Sequence, residues 1–249
     1  MGLLDFIFPK YCVNCKKFGD YLCPNCFARL SYDTKNICLA CGNPSFDGLT
    51  HPRCRGRYVV EGSFTGVVFN SVSKKLIYQF KYKPYLSSLA SFLTDLLYES
   101  LIQNEEFVKI LRSFPPEAGR QDDSLNDIFF VPIPLSSKRF KKRGYNQAEI
   151  LAKSLGKKLG FPVYNCLIRI RETKSQVGLD KKKRKENVRG AFAVKVSKAS
   201  KVSEGELKNA NIFLVDDVLT TGSTFSEACW VLKRNGAAKV WAVAFAREQ

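Results

Sequence analysis

Histidine is almost absent from this sequence, which contains only His51 among its 249 residues. Because histidine is the most common general base in enzymes, its scarcity argues against hydrolysis through a histidine base or a Ser-His-Asp triad. Long apolar runs are missing too, since no segment approaches the roughly 18 residues needed to cross a bilayer. The opening stretch, MGLLDFIFPK, carries Asp5 and fits neither a signal peptide nor a myristoylation site. We therefore expect a soluble, cytoplasmic protein without membrane insertion.

Acidic residues are also scarce, because 23 Asp and Glu stand against 40 Lys and Arg. The resulting formal net charge of +17 favours partners that carry many negative charges. Nucleic acids and substrates with several phosphate groups both fit this description. Charge alone does not distinguish between them.

Cysteine, in contrast, is abundant near the amino terminus, where seven of the nine cysteines precede residue 55. Three C-x-x-C pairs and one H-x-x-C pair predict two structural zinc sites, because two such turns complete a tetrahedral site with no open position. Buried apolar cysteines are the alternative interpretation. Sequential pairing is the simplest arrangement, and a cross-braced one is also possible. The predicted ligands are Cys12, Cys15, Cys23 and Cys26 for one ion, and Cys38, Cys41, His51 and Cys54 for the other.

The amino-terminal segment has little material for a hydrophobic core, because it is rich in glycine and proline. Zinc is therefore expected to supply its folding free energy. We predict a small metal-stabilised module over residues 1–58 and an α/β domain over residues 59–249. Alternating strands and helices in the second part predict a mostly parallel sheet flanked by helices.

The segment IFLVDDVLTTGST, residues 212–224, is the strongest functional signal. Its apolar run predicts a strand buried on both faces, and an amphipathic helix follows it. The adjacent carboxylates of Asp216 and Asp217 suit the two hydroxyls of a ribose. A glycine and several hydroxyl groups at the start of a helix suit a phosphate, and they are Thr220, Thr221, Gly222, Ser223 and Thr224. The sequence therefore predicts that sugar and 5'-phosphate bind side by side.

A simpler interpretation of the same segment is purely structural. Thr224 and Glu227 have the spacing of a capping box, in which Thr224 would only cap the helix. Strands that end in acidic residues are also common in α/β proteins. The order of apolar run, acid pair and hydroxyl-rich turn favours the binding site.

A second strand-loop-helix unit begins at Ile128 with the apolar run IFFVPIP. The following segment, residues 136–143, contains five cations, and a basic loop at the carboxyl end of a strand suits a pyrophosphate group. A solvated helix start is the alternative. The carboxyl edge of the sheet should bring this loop close to Asp216 and Asp217.

Two further segments have an ambiguous pattern. The run YQFKYKPY, residues 78–85, alternates aromatic residues with lysines, which suits either base stacking or, as we favour, core aromatics with lysines that reach solvent. The polar segment 172–190 fits a lid over the substrate or a basic surface patch, with equal support for each. Residues 60–110 are expected at the rim, as a hood over the acceptor.

The segment around Asp216 resembles the phosphoribosyl pyrophosphate (PRPP) signature of type I phosphoribosyltransferases. The string VPIPLSSKRFKKRGYNQAEILA is similar to the signature of the ComF/GntX family, with Tyr145 where that pattern has phenylalanine. The lead LLDFIFPxxCxxC and the double zinc ribbon resemble the same family, although His51 replaces its usual cysteine. The resemblance implies a type I phosphoribosyltransferase-like fold over residues 59–249.

The resemblance also implies roles for individual residues. Asp216 and Asp217 would hold the ribose, and residues 220–224 the 5'-phosphate, of PRPP bound with Mg²⁺. The pyrophosphate would be bound at Ser136, Ser137, Lys138 and Arg139. The implied catalytic residues are Asp216, Asp217, Arg139 and Arg143.

Two hypotheses about function follow from the resemblance. The first is a PRPP-dependent phosphoribosyltransferase, in which pyrophosphate leaves the anomeric carbon and an acceptor nitrogen attacks. The second is a competence protein that handles single-stranded DNA, alone or with other competence proteins, during natural transformation. The intact acid pair and hydroxyl-rich loop favour retention of PRPP binding in either case.

Overall fold

The computed structural model of the protein describes residues 10–82, 87–114, 128–173, 181–195 and 207–249. Its centre is a four-stranded, fully parallel sheet of order β1-β6-β5-β2. The strands are β1 (Gly62–Val68), β2 (Ile128–Pro132), β5 (Asn211–Leu219) and β6 (Lys239–Arg247). Two short strands, β3 (Leu167–Arg169) and β4 (Phe192–Val194), pair antiparallel to each other outside this sheet.

Eight helices are described. They are α1 (Pro24–Phe27), α2 (Ser71–Tyr82), α3 (Ser87–Ile102), α4 (Glu105–Arg112), α5 (Ser137–Arg143), α6 (Gln147–Leu159), α7 (Lys181–Val188) and α8 (Ser223–Arg234). Short 3₁₀ turns at Phe46–Gly48 and Pro52–Cys54 lie in the amino-terminal segment. No helix in these described ranges is both long and apolar enough to span a membrane.

The central strands are buried on both faces, as their apolar runs predict. Along β5, Phe213 and Val215 join one buried cluster, and Ile212 and Leu214 join the other. The first cluster packs against α3 and α6, and α8 packs against β6 and β4 on the other side. Alternating side chains of β5 therefore bind the two helical layers to one sheet.

The amino-terminal segment packs against the sheet domain. Leu22 and Leu30 belong to the buried cluster that includes α2 and α3, whereas Leu39 belongs to the opposite cluster. Lys233 of α8 is buried and donates from Nζ to the Val59 carbonyl and to Glu61 Oε1, both at 2.7 Å. These contacts hold the segment that precedes β1 against α8. The boundary expected at residue 58 stays a prediction.

Two expectations about elements need correction. Strand β5 continues through Asp216 and Asp217 to Leu219, so the acid pair lies within the strand and not after it. Continued pairing with β6, up to Leu219 and Arg247, explains the longer strand. The basic segment 136–143 is a helix rather than a loop, with Ser136 at its N-cap. The predicted mostly parallel sheet is confirmed, and β3 and β4 form a separate antiparallel pair outside it.

Candidate functional site

A pocket of about 620 Å³ lies at the carboxyl edge of the sheet. All four parallel strands contribute to it just at or beyond their ends, through Phe69, Ile133, Val218 and Glu248. Parallel strands end at one edge, so residues distant in sequence meet there. Seven Lys or Arg side chains and three carboxylates line the pocket, an excess of positive charge that suits an anionic ligand.

The pocket brings together about half of the residues predicted to bind PRPP. The predicted residues that line it are Arg139, Arg143, Asp216, Asp217, Thr220, Gly222 and Thr224. The predicted residues outside its lining are Ser136, Ser137, Lys138, Thr221 and Ser223. Two of these contribute to the geometry indirectly, because the Thr221 and Ser223 hydroxyls lie 2.9 Å apart and connect two positions of the loop.

The two acids have different surroundings. Asp217 Oδ2 lies 2.9 Å from Lys81 Nζ of α2, in an ion pair at the pocket wall. Asp216 Oδ1 accepts the backbone N–H of Asp217 at 2.8 Å. Burial, followed by the negative charge of Asp217, raises the pKa of Asp216 to about 7, against smaller opposing effects that include Lys81 and Arg169. Asp216 therefore changes between its protonated and ionised forms near neutral pH.

This raised pKa predicts a specific dependence of stability on pH. The folded protein retains a proton at Asp216 between the ordinary pKa of 3.8 and about 7, whereas the unfolded chain has lost it. The free energy of unfolding of the wild type should therefore fall, relative to Asp216→Asn, as the pH rises through this range. The expected change is about 1 kcal/mol or more, measured by urea denaturation at pH 5, 6, 7 and 8. A difference that is constant with pH would contradict the raised pKa.

The basic side of the pocket is built around the start of α5. The side chain of Ser136 accepts the Arg139 N–H at 3.4 Å, and Glu172 Oε1 accepts the Lys138 N–H at 3.0 Å. The Lys138 N–H, followed by the Ser136 hydroxyl, lowers the pKa of Glu172. A carboxylate of the protein itself thus occupies part of the turn predicted to bind pyrophosphate.

Arg169 of β3 adds a cation to the pocket that the sequence analysis did not identify. Its guanidinium donates to the Thr173 hydroxyl at 2.7 Å and stacks on the ring of Phe192. Burial, followed by the positive charge of Arg139, lowers the pKa of Arg169. The buried Nε has no hydrogen-bond partner among the described residues. The positive charge of Arg139 acts on Arg169, and both residues line the pocket, so an anionic ligand there would reduce their repulsion.

The structure of the hydroxyl-rich loop contradicts the purely structural interpretation, in which Thr224 caps the helix. Helix α8 begins at Ser223, and its N-cap is Gly222, with φ of +75° and no side-chain cap. The prediction of a capping box at Thr224 and Glu227 is therefore wrong. Glu227 Oε1 instead accepts the Gly190 N–H at 2.7 Å, which connects α8 to the segment before β4.

The wall opposite the sheet is formed by α2. Phe80 is buried, but Tyr78 and Tyr82 are 64% and 46% exposed, so the core interpretation holds only for Phe80 among the described aromatics of this run. The guanidinium of Arg143 lies 5.3 Å from the centre of the Tyr82 ring. Residues 83–85 of the run lie outside the described residues. This wall presents aromatic faces and cations at the pocket mouth.

Tyr145, which differs from the ComF/GntX pattern, connects this wall to the sheet domain. Its hydroxyl donates to the Phe80 carbonyl of α2. Next to it, Asn146 caps α6 through the Ala148 N–H and donates to the Ile133 carbonyl at 3.0 Å. These two contacts explain why polar residues follow the basic segment.

The predicted lid is described only in part, because residues 174–180 lie outside the described residues. Its second half forms α7, in which Arg184 pairs with Glu248 at 3.0 Å, and both residues line the pocket. Arg171 donates to the carbonyl groups of Asn187 and Arg189. The helix thus forms one side of the pocket, and its role as a lid stays a prediction.

The predicted zinc ligands form two groups within the described residues. Cys12, Cys15, Cys23 and Cys26 make one, and Cys38, Cys41, His51 and Cys54 make the other, with the potential ligand atoms of each group within 4.8 Å of one another. Sequential pairing is therefore confirmed. Among described residues, no third group of this kind occurs.

Each cluster contains one cysteine with a lowered thiol pKa, Cys12 or Cys38, and one with a raised thiol pKa, Cys26 or Cys54. Burial opposes ionisation of Cys38, but backbone groups of Cys41, His51 and Ala40 lower the pKa of its thiol to about 6. His51 Nε2 lies 2.9 Å from the Pro44 carbonyl, and Nδ1 lies 3.4 Å from the sulfur of Cys41. A proton on Nε2 would leave Nδ1 free for the metal. The residues fit two structural zinc ions.

Two family models match the chain. A double zinc ribbon domain matches residues 3–55, and a phosphoribosyl transferase domain matches residues 122–249. The second match covers more than half of the chain, and it includes β2, β5 and both binding segments.

Curated relatives match different shares of the chain. Competence protein F of Haemophilus influenzae is 39% identical over 117 residues, which cover 46% of this chain and 48% of that protein. The DNA utilization protein YhgH of Escherichia coli is 34% identical over 111 residues, 44% of this chain and 45% of that protein. Competence protein ComFC of Bacillus subtilis is 27% identical over 229 residues, 89% of this chain and 82% of that protein. The chain thus matches about half of the length of the first two.

Proposed function

Because the chain belongs to the phosphoribosyltransferase domain family, with the double zinc ribbon of its ComF branch, we propose that it binds PRPP in the pocket at the sheet edge and acts as a PRPP-dependent phosphoribosyltransferase. The supporting observation is the juxtaposition of Asp216, Asp217, Arg139 and the loop 220–224 around one cationic pocket.

Each part of the pocket has a distinct task in this proposal. The carboxylates of Asp216 and Asp217 accept hydrogen bonds from the ribose hydroxyls, and the loop 220–224 surrounds the 5'-phosphate. Arg139 and Arg169 face the pyrophosphate and neutralise the charge that grows on it as its bond to the anomeric carbon breaks. An acceptor nitrogen then forms the new bond to that carbon. The protein contributes mainly position and charge, so a histidine base is not required.

Magnesium is part of the proposal, although the pocket is not a complete metal site. Among the described residues, groups of three or more possible ligands occur only in the two cysteine clusters. Asp216 and Asp217 would offer carboxylates to Mg²⁺, and oxygens of the bound ligand and of water would supply its other ligands. When bound, the cation would neutralise part of the charge of the leaving group.

The biological setting is proposed from the relatives. Two similar proteins are named for competence and one for DNA utilization, so we propose that this chain acts in DNA uptake during natural transformation. The second candidate function, direct handling of single-stranded DNA, is supported by the exposed Tyr78 and Tyr82 beside Lys142 and Arg143. Competence proteins as partners and a cytoplasmic location stay predictions.

Two titrations of the wild-type protein distinguish these functions. Enzyme function requires saturable binding of PRPP in the presence of Mg²⁺, with competition by pyrophosphate and by ribose 5-phosphate. DNA handling requires binding of a single-stranded oligonucleotide whose affinity falls steeply between two salt concentrations. Loss of DNA binding when PRPP is added would place both ligands at one surface. Absence of PRPP binding would refute the proposed enzyme.

A further inference from the structure

The second zinc cluster lies directly against the loop predicted to bind the 5'-phosphate. Leu39 stands between the ligands Cys38 and Cys41, and its side chain is only 6% exposed. A Cβ atom added to Gly222 would lie 2.9 Å from Cδ2 and 3.4 Å from Cδ1 of Leu39. The loop is therefore in contact with Leu39, and a side chain at residue 222 would require the end of the Leu39 side chain to shift.

The backbone at Leu39 is held firmly in place. The Cys38 N–H donates to Asn43 O at 2.9 Å, and the Gly42 N–H donates to Cys38 O at 2.7 Å. When the metal is bound, Cys38 and Cys41 fix this turn on both sides of Leu39. The side chain belongs to the same buried cluster as Leu219 and Phe225, which precede and follow the loop.

We propose that Leu39 is a positioning residue for the loop 220–224, and that the second zinc ribbon thereby supports the donor-sugar site from behind this loop, outside the pocket lining. This inference rests on the proposed function for its ligand. Leu39 acts through Gly222 and limits the conformations available to the loop before ligand arrives. Less ordering then accompanies phosphate binding, so affinity is higher.

The first experiment compares Leu39→Ala with Leu49→Ala. Leu49 is a partly buried leucine of the same ribbon that lies near Gly62 instead of the loop, so it controls for truncation of a leucine in this module. Calorimetric titration with ribose 5-phosphate should show at least about tenfold weaker binding for Leu39→Ala and little change for Leu49→Ala. Both variants should retain two zinc ions per chain by mass spectrometry. Wild-type affinity in Leu39→Ala would overturn the proposal.

A second measurement does not depend on the ligand. Amide hydrogen exchange at residues 220–224 should become faster in Leu39→Ala and stay at the wild-type rate in Leu49→Ala and in the volume-conserving Leu39→Met. If the wild type does not bind ribose 5-phosphate, the proposed function fails, and the exchange rate alone decides the positioning role. Unchanged exchange refutes that role. If Leu39→Ala loses zinc, Leu39→Val replaces it and should show a smaller change in the same direction.

Discussion

Replacement of both Asp216 and Asp217 by alanine is expected to reduce the affinity for PRPP by at least about 100-fold. Hydrogen bonds to charged groups contribute roughly 1.5–3 kcal/mol each, and each factor of ten in affinity corresponds to about 1.4 kcal/mol. The two carboxylates lie at the pocket edge of β5, with Asp217 paired to Lys81 and Asp216 in contact with the Asp217 N–H. No other described acid except Glu248 lines the pocket, and Glu248 already pairs with Arg184.

The single variants distinguish a loss of ligand affinity from a loss of stability. Asp217→Ala also removes the partner of Lys81, so part of its effect should be a displacement of α2, visible as a lower melting temperature. Asp216→Ala removes a partly buried carboxyl with a raised pKa and should stabilise the empty protein at pH 8. A loss of binding in a more stable protein cannot result from unfolding.

The control is Asp95→Ala, because Asp95 pairs with Lys158 at 2.8 Å on the exposed surface and does not line the pocket. Calorimetry with PRPP and Mg²⁺ should give wild-type affinity for this variant. Binding that survives in the double variant would show that the donor does not use these acids. If the affinity for single-stranded DNA is also unchanged in the double variant, the second candidate function is favoured.

The strands near the site were predictable because their physical causes are local. An apolar run such as residues 212–215 must be buried on both faces, and Gly160 ends α6 with the left-handed conformation that glycine favours. The zinc ligands were predictable because they occur as four pairs with the same spacing. The exact end of β5 was not predictable, because its extension to Leu219 depends on pairing with β6, which lies later in the chain.

Several residues of the candidate site could not be predicted, because their position depends on tertiary contacts. Lys81 occurs among aromatic residues, and nothing in that run indicates that it pairs with Asp217, 136 positions away. Arg169 belongs to a strand pair outside the main sheet, and Glu172 reaches the start of α5 across 34 positions. The antiparallel pairing of β3 and β4 could not be predicted from the sequence either, because each strand has only three residues.

Removal of zinc from the second cluster is expected to unfold residues 36–61 and to disturb the sheet domain. Metal binding contributes about 10–16 kcal/mol in small zinc modules, more than many domains have as total stability. Besides the metal, the segment is held to β1 by the bridge Leu49↔Gly62 and to α8 by Lys233, and Leu39 and Val60 are buried in the cluster that includes α8. Hydrogen exchange under reducing conditions should show loss of protection in residues 36–61 after chelation, or in Cys38→Ser/Cys41→Ser.

The two cysteines outside the clusters provide the matched control. Cys166 and Cys229 are fully buried in the α/β domain, and burial raises the pKa of both thiols to about 12, so they are poor metal ligands. Cys166→Ala and Cys229→Ala should each retain two zinc ions and wild-type protection in the ribbon, although each loses some stability from truncation in the core. If the ribbon stays protected after metal analysis shows complete removal of zinc, packing against α8 and β1 must hold it instead.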